Sequence, residues 1–308
     1  MSITRSLLLR ASRSDWLADQ LRQRAFFRRA TQRFMPGEDL PSALDAATSF
    51  ARDGLGSVLT ELGEQVRSPA EAAAVRDRYL EALAQIHLRS LPAHISVKLT
   101  HLGIDTDRDA CAAHVQAIAR RAAALGTFVW IDMEESRYVD ATIAVYRDVR
   151  AEAARVGICL QAYLRRTPAD LGSLLPLAPS IRLVKGAYRE PPDVAYTTKD
   201  QVDAQYLSLA GQLLASAREG SGTLPVFGTH DLGLVKRISR RADELGVAQR
   251  QYEIHMLYGI RTADQRALAA SGHVVRVLIS YGTAWFAWYM RRLAERPANL
   301  WFVVRSIF

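Results

Sequence analysis

Eight short apolar segments, separated by helical stretches, constrain the fold of this 308-residue chain more than any other feature. Most of them are continuous runs of apolar or β-branched residues, which is typical of parallel strands covered on both faces. The predicted strands are Gly56–Leu62, His94–Leu99, Thr127–Met133, Gly157–Tyr163, Ile181–Ala187, Pro225–His230, Tyr252–Leu257 and His273–Ile279.

Helical patterns lie between these strands, and glycines stand where helices are expected to stop. The predicted helices include Arg108–Leu125, Tyr138–Val156, Val202–Arg218 and Leu232–Leu245, and the stop signals are Gly126, Gly157, Gly246 and Gly272. Eight strands alternating with helices over about 250 residues predict an α/β fold of the TIM-like (β/α)8 barrel type. An open doubly wound sheet is the alternative, but Gly54-Leu55-Gly56 lacks the third glycine of a dinucleotide-binding fingerprint.

The two ends of the chain are predicted to add helices to this barrel. Residues 1–50 are interpreted as an N-terminal helical segment packed on the barrel, and residues 51–308 as the barrel itself. The first 34 residues are rich in arginine, as in a transit peptide, but Asp15 and Asp19 and the helical spacing of apolar residues favour ordinary helices. The apolar run Val277–Met290 is too short for a bilayer span and contains Gly282.

Charge and cysteine content narrow the class of protein further. The formal net charge is +8, but the basic residues are spread through the helices rather than clustered, so no nucleic-acid partner is predicted. Cys111 and Cys159 are far apart and have no metal-ligand spacing. They predict a reducing compartment, no disulfide and two core residues.

Polar residues recur at the ends of the predicted strands, where a barrel of this kind places its ligand site. They come from seven of the eight strands: Glu64, Lys98, Asp132, Glu134, Gln161, Arg182, Lys185, Thr229, His230, Asp231 and His255. This distribution predicts a ligand-binding barrel mouth.

Two of these groups permit other chemistry. Arg182 and Lys185 have opposite parity on one strand, so only one of them points into the mouth unless Gly186 marks a bulge. Lys185 in the mouth would suit a Schiff-base lyase or aldolase. Thr229-His230-Asp231 could form a metal corner, but no second ligand lies at metal spacing, so hydrogen bonding is favoured and no metal is predicted.

A helix predicted at Trp285–Arg296 places Trp288, Arg291, Arg292 and Glu295 on one face, because they are spaced at i, i+3, i+4 and i+7. Two neighbouring guanidiniums need an anion, and arginine binds carboxylates and phosphates in a bidentate way. Glu295 supplies one counter-charge, and a bound carboxylate could supply the other.

An ordered set of motifs resembles the proline dehydrogenase family, bacterial and monofunctional in type, over roughly residues 50–308. The motifs are Leu62-Gly63-Glu64, Val97-Lys98-Leu99-Thr100, Leu160-Gln161-Ala162-Tyr163, Arg182-Leu183-Val184-Lys185-Gly186-Ala187-Tyr188, Thr229-His230, Met256-Leu257-Tyr258-Gly259 and Arg291-Arg292-Leu293-Ala294-Glu295-Arg296-Pro297.

The resemblance implies an FAD-dependent barrel with its last helix over the mouth, which oxidises the C–N bond of L-proline to Δ1-pyrroline-5-carboxylate and passes electrons to a quinone. Arg182 would approach flavin N5, and Gln161 the pyrimidine edge of the ring. The other cofactor residues would be Val184, Lys185, Gly186, Ala187, Thr229, His230 and His255. The substrate carboxylate would bind Lys98, Arg291 and Arg292, with Asp132 beside Lys98, Glu295 steadying the arginines and Glu64 pairing with Arg291 as a gate.

The chain departs from the family pattern around the substrate ring. The pocket is expected to include Leu257, Leu278, Tyr281 and Trp288. Leu278 and Trp288 stand where the family has tyrosines, Ser280 replaces a proline and His255 a glutamine. We therefore expect a displaced, less polar pocket that admits proline or a close cyclic amino-acid analogue.

Two other functions stay open at this point: the Lys185 lyase, and a non-catalytic basic binding protein built on a barrel. The resemblance favours a cytoplasmic enzyme, with peripheral contact at the inner face of the membrane as a further option.

Overall fold

A computed structural model of the chain describes residues 33–218 and 222–285. Within them, eight parallel strands form a closed barrel in chain order, and the last strand pairs with the first. The strands are β1 (Gly56–Glu61), β2 (Ala93–Val97), β3 (Val129–Ile131), β4 (Val156–Gln161), β5 (Ser180–Val184), β6 (Leu224–Gly228), β7 (Glu253–Leu257) and β8 (Val274–Tyr281). The (β/α)8 prediction is confirmed, and the open-sheet alternative is wrong.

Helices cover the outside of the barrel, and several begin at a side chain that accepts a hydrogen bond from a backbone N–H of the first turn. These N-cap residues are Asp39, Ser68, Asp107 and Asp231. The helices of the described part are α1 (Leu40–Arg52), α2 (Pro69–Leu88), α3 (Arg108–Ala124), α4 (Val139–Glu152), α5 (Thr167–Leu174), α6 (Lys199–Arg218), α7 (Leu232–Leu245) and α8 (Thr262–Ala270).

One predicted helix end is wrong. The helix predicted at Tyr138–Val156 ends at Glu152, and Val156 already begins β4. Gly157, predicted both to stop that helix and to begin the next strand, lies inside the strand, so only the second prediction is confirmed. A Cβ at Gly157 would lie 2.5 Å from Cζ3 of Trp130, so the glycine provides space for the indole. The other three predicted stop glycines do follow helices and have left-handed φ angles.

Six of the eight predicted strands extend too far at their carboxyl ends, whereas β7 ends at Leu257 as predicted and β8 continues to Tyr281, beyond the predicted Ile279. β5 was predicted to reach Ala187 but ends at Val184. The chain turns away at Gly186, where φ is +112° and a Cβ would lie 2.1 Å from the ring of Tyr163. Lys98 and Asp132 likewise follow β2 and β3 directly rather than lying within them.

Side chains alternate along each strand between the helix-covered outside and the barrel interior. The outward residues join the helices in the main core, which includes Cys111. Cys159 also belongs to this core, although it has the inward parity of its register partner Arg182; both cysteines are buried and free. A separate small apolar cluster consists of Val58, Phe128, Trp130 and Val226, with Leu224 and Leu278 packed against it. The alternation along the strands directs the residues of this small cluster into the barrel. The small cluster therefore lies inside the sheet, while most of the main core lies between the sheet and the helices.

Much of each chain end is outside the described residues. Helix α1 packs against β1 and β8. The helices predicted within residues 1–32, and all but the first residue of the helix predicted at Trp285–Arg296, lie outside the described residues. The division at residue 50 stays a prediction. No helix in the described part of the chain combines the length and apolar character needed to cross a membrane.

Candidate active site

Three predicted site residues, one within β5 and two directly after β2 and β3, meet at the carboxyl end of the barrel. Asp132 forms an ion pair with Arg182, and its other oxygen lies 3.8 Å from the Lys98 ammonium. Ser96, which sequence reasoning missed, accepts a hydrogen bond of 2.8 Å from Arg182 and donates one of 2.9 Å to Asp132. Ser96 shares the inward parity of Lys98, and this parity is the signal that could have identified it. The cluster places two cations and one carboxylate around one point.

The Arg182 and Gln161 side chains are buried, and each has one polar atom without a partner in the protein. Nη2 of Arg182 makes its hydrogen bonds, whereas Nη1 makes none. Gln161 donates from Nε2 to the Met133 carbonyl at 3.3 Å, and its Oε1 accepts nothing. Buried polar atoms are rarely left unpaired. A free donor and a free acceptor therefore mark a place where a ligand with complementary groups could bind.

Lys185 points to the outside of the barrel, as its parity relative to Arg182 predicts. Its ammonium lies 2.5 Å from Asp203 of α6 and 3.3 Å from Asp231 at the start of α7. Lys199 contacts the same two carboxylates. A lysine paired in this way and directed away from the mouth is poorly placed to attack a substrate there. The bulge that would have brought it inward is absent, because β5 ends one residue earlier.

The corner after β6 is built from hydrogen bonds. Thr229 Oγ1 accepts from Asp231 N at 3.1 Å, and Nε2 of His230 accepts from Leu257 N at 3.2 Å. The Asp231 carboxylate caps α7 by accepting from Gly233 N and Leu234 N. In the described residues, no group of three or more potential metal ligands comes together.

Of the residues predicted for the ring pocket, Leu257 and Leu278 lie on the wall of the mouth, together with Val184, which was predicted for the cofactor. Val184, Leu257 and Leu278 have inward parity and are partly buried. Ser280 is fully buried, and its hydroxyl has no hydrogen-bond partner. Tyr281 follows Ser280, so its side chain faces outward into the main core. The pocket role predicted for Tyr281 therefore has no support from its position.

His255, predicted to contact the cofactor, lies two residues before the end of β7, with its ring packed against Trp130 at 5.6 Å. Its Nε2 hydrogen-bonds to Glu253 at 2.9 Å. This position is deeper in the barrel than the end of the strand. Gly186 is partly buried and Ala187 is exposed at the rim.

Glu64 follows β1 and lines a polar cavity together with Arg78, His101 and Thr283. Sequence reasoning left Glu134 without a role. Its carboxylate accepts hydrogen bonds from Thr100 N at 3.0 Å and Thr100 Oγ1 at 2.5 Å. Burial raises the pKa of Glu134 to about 7. It thereby anchors the turn that follows Lys98.

The four residues predicted on the last helix lie outside the described residues. These are Trp288, Arg291, Arg292 and Glu295. Their predicted roles in binding the substrate carboxylate and closing over the mouth stay predictions, as does the pairing of Glu64 with Arg291.

Comparison with solved structures supports the fold. The chain superimposes with a TM-score of 0.82 on proline utilization A from Bdellovibrio bacteriovorus, a crystal structure of the enzyme inactivated by N-propargylglycine. The alignment covers 95% of this chain and 36% of the other, at 24% sequence identity. The chain therefore spans about a third of that longer protein, and the likeness concerns the barrel alone.

Sequence comparison identifies relatives of similar length. Proline dehydrogenase 1 of Bacillus subtilis subsp. natto is 36% identical over 281 residues, which is 91% of each chain. The proline dehydrogenase of Deinococcus radiodurans is 37% identical over 281 residues, covering 90% of this chain and 89% of its own. The family model described as proline dehydrogenase matches residues 43–305. The chain belongs to the proline dehydrogenase family and is an oxidoreductase.

Proposed function

We propose that this enzyme oxidises the C–N bond of L-proline, or of a close cyclic amino-acid analogue, to Δ1-pyrroline-5-carboxylate or its counterpart, with FAD as cofactor and a quinone as electron acceptor. The names of its relatives support the substrate class. The observation that carries the proposal is the cluster of partly buried Lys98 and Asp132 with buried Arg182, in which one guanidinium nitrogen has no protein partner.

The unmatched atoms fit a flavin. An isoalloxazine ring offers a donor at N3–H and acceptors at N5 and its carbonyl oxygens. The free Oε1 of Gln161 complements the donor, and the free Nη1 of Arg182 complements an acceptor. Thr229, His230 and the rim residues after β5 would hold the rest of the cofactor. When bound, FAD would accept the hydride, and a cation close to the ring would favour its reduced form.

The substrate would be held by charge. Lys98, with Arg291 and Arg292 of the helix predicted at Trp285–Arg296, would bind the carboxylate by charge-assisted hydrogen bonds. Asp132 lies between Lys98 and Arg182 and contacts both, so it offsets part of their repulsion when no substrate is bound. Fixing the carboxylate orients the ring C–N bond, which is the main requirement of a hydride transfer without a nucleophile or a metal.

The pocket wall is where this chain is expected to differ from its relatives. Leu278 packs on the apolar cluster inside the barrel, two residues further from the carboxyl end of β8 than Ser280. A leucine there provides an apolar surface in place of a phenol, while the buried Ser280 hydroxyl lacks a partner. We infer that L-proline is accepted modestly and that an analogue of altered ring size or substitution is accepted as well or better.

We further propose a cytoplasmic location, with peripheral contact at the inner face of the membrane during electron transfer, because a quinone acceptor is dissolved in the lipid. Reoxidation of the reduced enzyme by a lipid-soluble quinone carried in vesicles, measured together with co-sedimentation of the protein with those vesicles, tests this point separately. A protein that reduces a water-soluble quinone but neither reduces the lipid-bound quinone nor co-sediments would refute the membrane contact.

The decisive experiment is a spectrum. The purified protein, after incubation with FAD and removal of the excess, should show the two absorption bands of a bound flavin. Anaerobic L-proline should bleach the band near the blue end of the visible range. Arg182→Met should retain the fold and slow this bleaching, whereas Arg120→Met, which removes an exposed ion pair with Glu152, should not. A protein that stays colourless with FAD would refute the proposal.

A further inference from the structure

Trp130 is enclosed on all sides inside the barrel, and one of its contacts is the guanidinium of Arg182. Cζ of Arg182 lies 5.2 Å from the centroid of the Trp130 ring, within the range of a cation–π interaction. Both residues are buried, with 0% and 2% of their surface exposed. A guanidinium desolvated in this way gains more from an aromatic face than one in water.

The orientation of the indole is set by the residues around it. Its Nε1–H donates to Nδ1 of His94 at 3.2 Å. Phe128 packs at 4.9 Å from one side, and His255 lies edge-on at 5.6 Å. Gly157 leaves space for the ring, since a Cβ there would lie 2.5 Å from Cζ3. The indole therefore has little freedom to turn.

The two histidines against the indole are held neutral. Burial, followed by the charge of Arg276, lowers the pKa of His94 well below its usual range. Burial lowers the pKa of His255 to about 4, although Glu253 works in the opposite direction. Arg276 also donates to Glu253, at 2.8 Å. Arg182 is thus the cation that packs on Trp130, because neither of the two histidines in contact with the indole carries a positive charge.

We propose that Trp130 is the positioning residue for Arg182: its fixed aromatic face holds the guanidinium so that Nη2 binds Ser96 and Asp132 while Nη1 stays directed to the ligand. Asp132 and Ser96 both bind the same nitrogen, Nη2, so these two contacts would still let the guanidinium tilt about that atom. Cys159, the register partner of Arg182 on β4, also contacts the Arg182 side chain, but a thiol is only a weak hydrogen-bonding group. The aromatic face therefore supplies the second strong constraint. This inference rests on the proposed function, because it assigns the held cation to the redox cofactor.

The midpoint potential of bound FAD is the measurement that separates positioning from general stability. A well-placed cation binds reduced flavin more tightly than oxidised flavin and so raises the potential. In Trp130→Leu, the preference for the reduced form should fall by a factor of roughly ten, which is about 30 mV for a two-electron couple. Trp130→Phe retains an aromatic face, so its potential should fall by less than about a third of the fall expected for Trp130→Leu.

Two further variants make the test specific. Gly157→Ala leaves Trp130 and Arg182 chemically intact but displaces the indole, and should lower the potential in the same direction. The matched control is Phe227→Leu, which removes a fully buried aromatic ring from the outward face of β6, where it packs on Tyr252. This control should lose thermal stability like Trp130→Leu but keep the parent potential.

A Trp130→Leu protein with the same potential as Phe227→Leu would overturn the inference. If the leucine variant does not fold, Trp130→Met, whose flexible side chain fills irregular space, replaces it, and Gly157→Ala decides independently. The proposed function fails in a different way, because a parent protein that binds no FAD has no flavin potential to measure.

Discussion

Glu134 accepts two hydrogen bonds from Thr100, one from the backbone N–H at 3.0 Å and one from the hydroxyl at 2.5 Å. Thr100 begins the short turn whose next two residues donate their N–H groups to the Lys98 carbonyl. A buried carboxyl on β3's exit loop therefore supports the backbone that carries a predicted substrate-binding lysine.

This carboxyl should make stability depend on pH. Burial raises the pKa of Glu134 from 4.5 to about 7. A raised pKa means that the folded protein favours the protonated form. Its contribution to stability is complete below about pH 4.5, and decreases as the pH rises to about 7. The shift corresponds to about 3 kcal/mol.

Chemical denaturation between pH 4 and 8 checks this prediction. Glu134→Gln cannot ionise, so the difference in unfolding free energy between parent and variant should change by an amount of that order across the window. A difference that stays constant with pH would show that Glu134 titrates as it does in the unfolded chain.

Gly186 should tolerate no side chain. Its φ of +112° is unfavourable for other residues, and a Cβ would overlap the ring of Tyr163. Gly186→Ala should therefore lose about 2–4 kcal/mol of unfolding free energy through backbone strain and overpacking.

Gly246→Ala is the matched control for Gly186→Ala. Its φ is +70°, but nothing lies within 4 Å of the added Cβ, so only the backbone cost of about 1 kcal/mol applies. Urea midpoints of the two variants compare the costs directly. Equal losses would mean that the loop after β5 moves away from Tyr163 without penalty.

The predicted carboxylate clamp can be tested with a substrate that lacks the carboxylate. Arg292→Met should weaken L-proline binding by about tenfold to a hundredfold, because a hydrogen bond to a charged group contributes about 1.5–3 kcal/mol. Proline amide should be a poor substrate of the parent and should be affected much less by the substitution. Equal effects on acid and amide would identify Arg292 as structural.

The changed ring pocket predicts a relaxed substrate preference. Steady-state rates on L-proline, 4-hydroxyproline, pipecolate and N-methylproline should differ modestly, because an apolar wall distinguishes one methylene by only about 1–3 kcal/mol. Leu278→Tyr should shift the preference toward proline. If proline already exceeds every analogue by roughly three orders of magnitude, the substitutions at Leu278 and Ser280 are neutral repacking.

The sequence was sufficient to predict the barrel and the direction of the side chains along each strand. Continuous apolar runs alternating with helices identify covered parallel strands, and the strict alternation of a strand separates Arg182 from Lys185. The structure confirms both, with Arg182 inside and Lys185 in contact with carboxylates of α6 and α7. The same alternation could have excluded Tyr281 from the pocket once Ser280 was placed inside.

Contacts across the barrel were decided by the tertiary structure alone. Trp130, Gly157 and Arg182 come from three strands and share no motif, and the sequence even suggested Gly157 as a helix stop. They meet because pairing register and strand tilt set the height of each residue inside the barrel, and neither is encoded in the periodicity of a single strand. The alternation within a strand determines which face of the sheet each side chain occupies. The register between strands determines which side chains lie next to each other. The contact between Arg182 and Trp130 depends on the register, so the sequence pattern alone could not predict it.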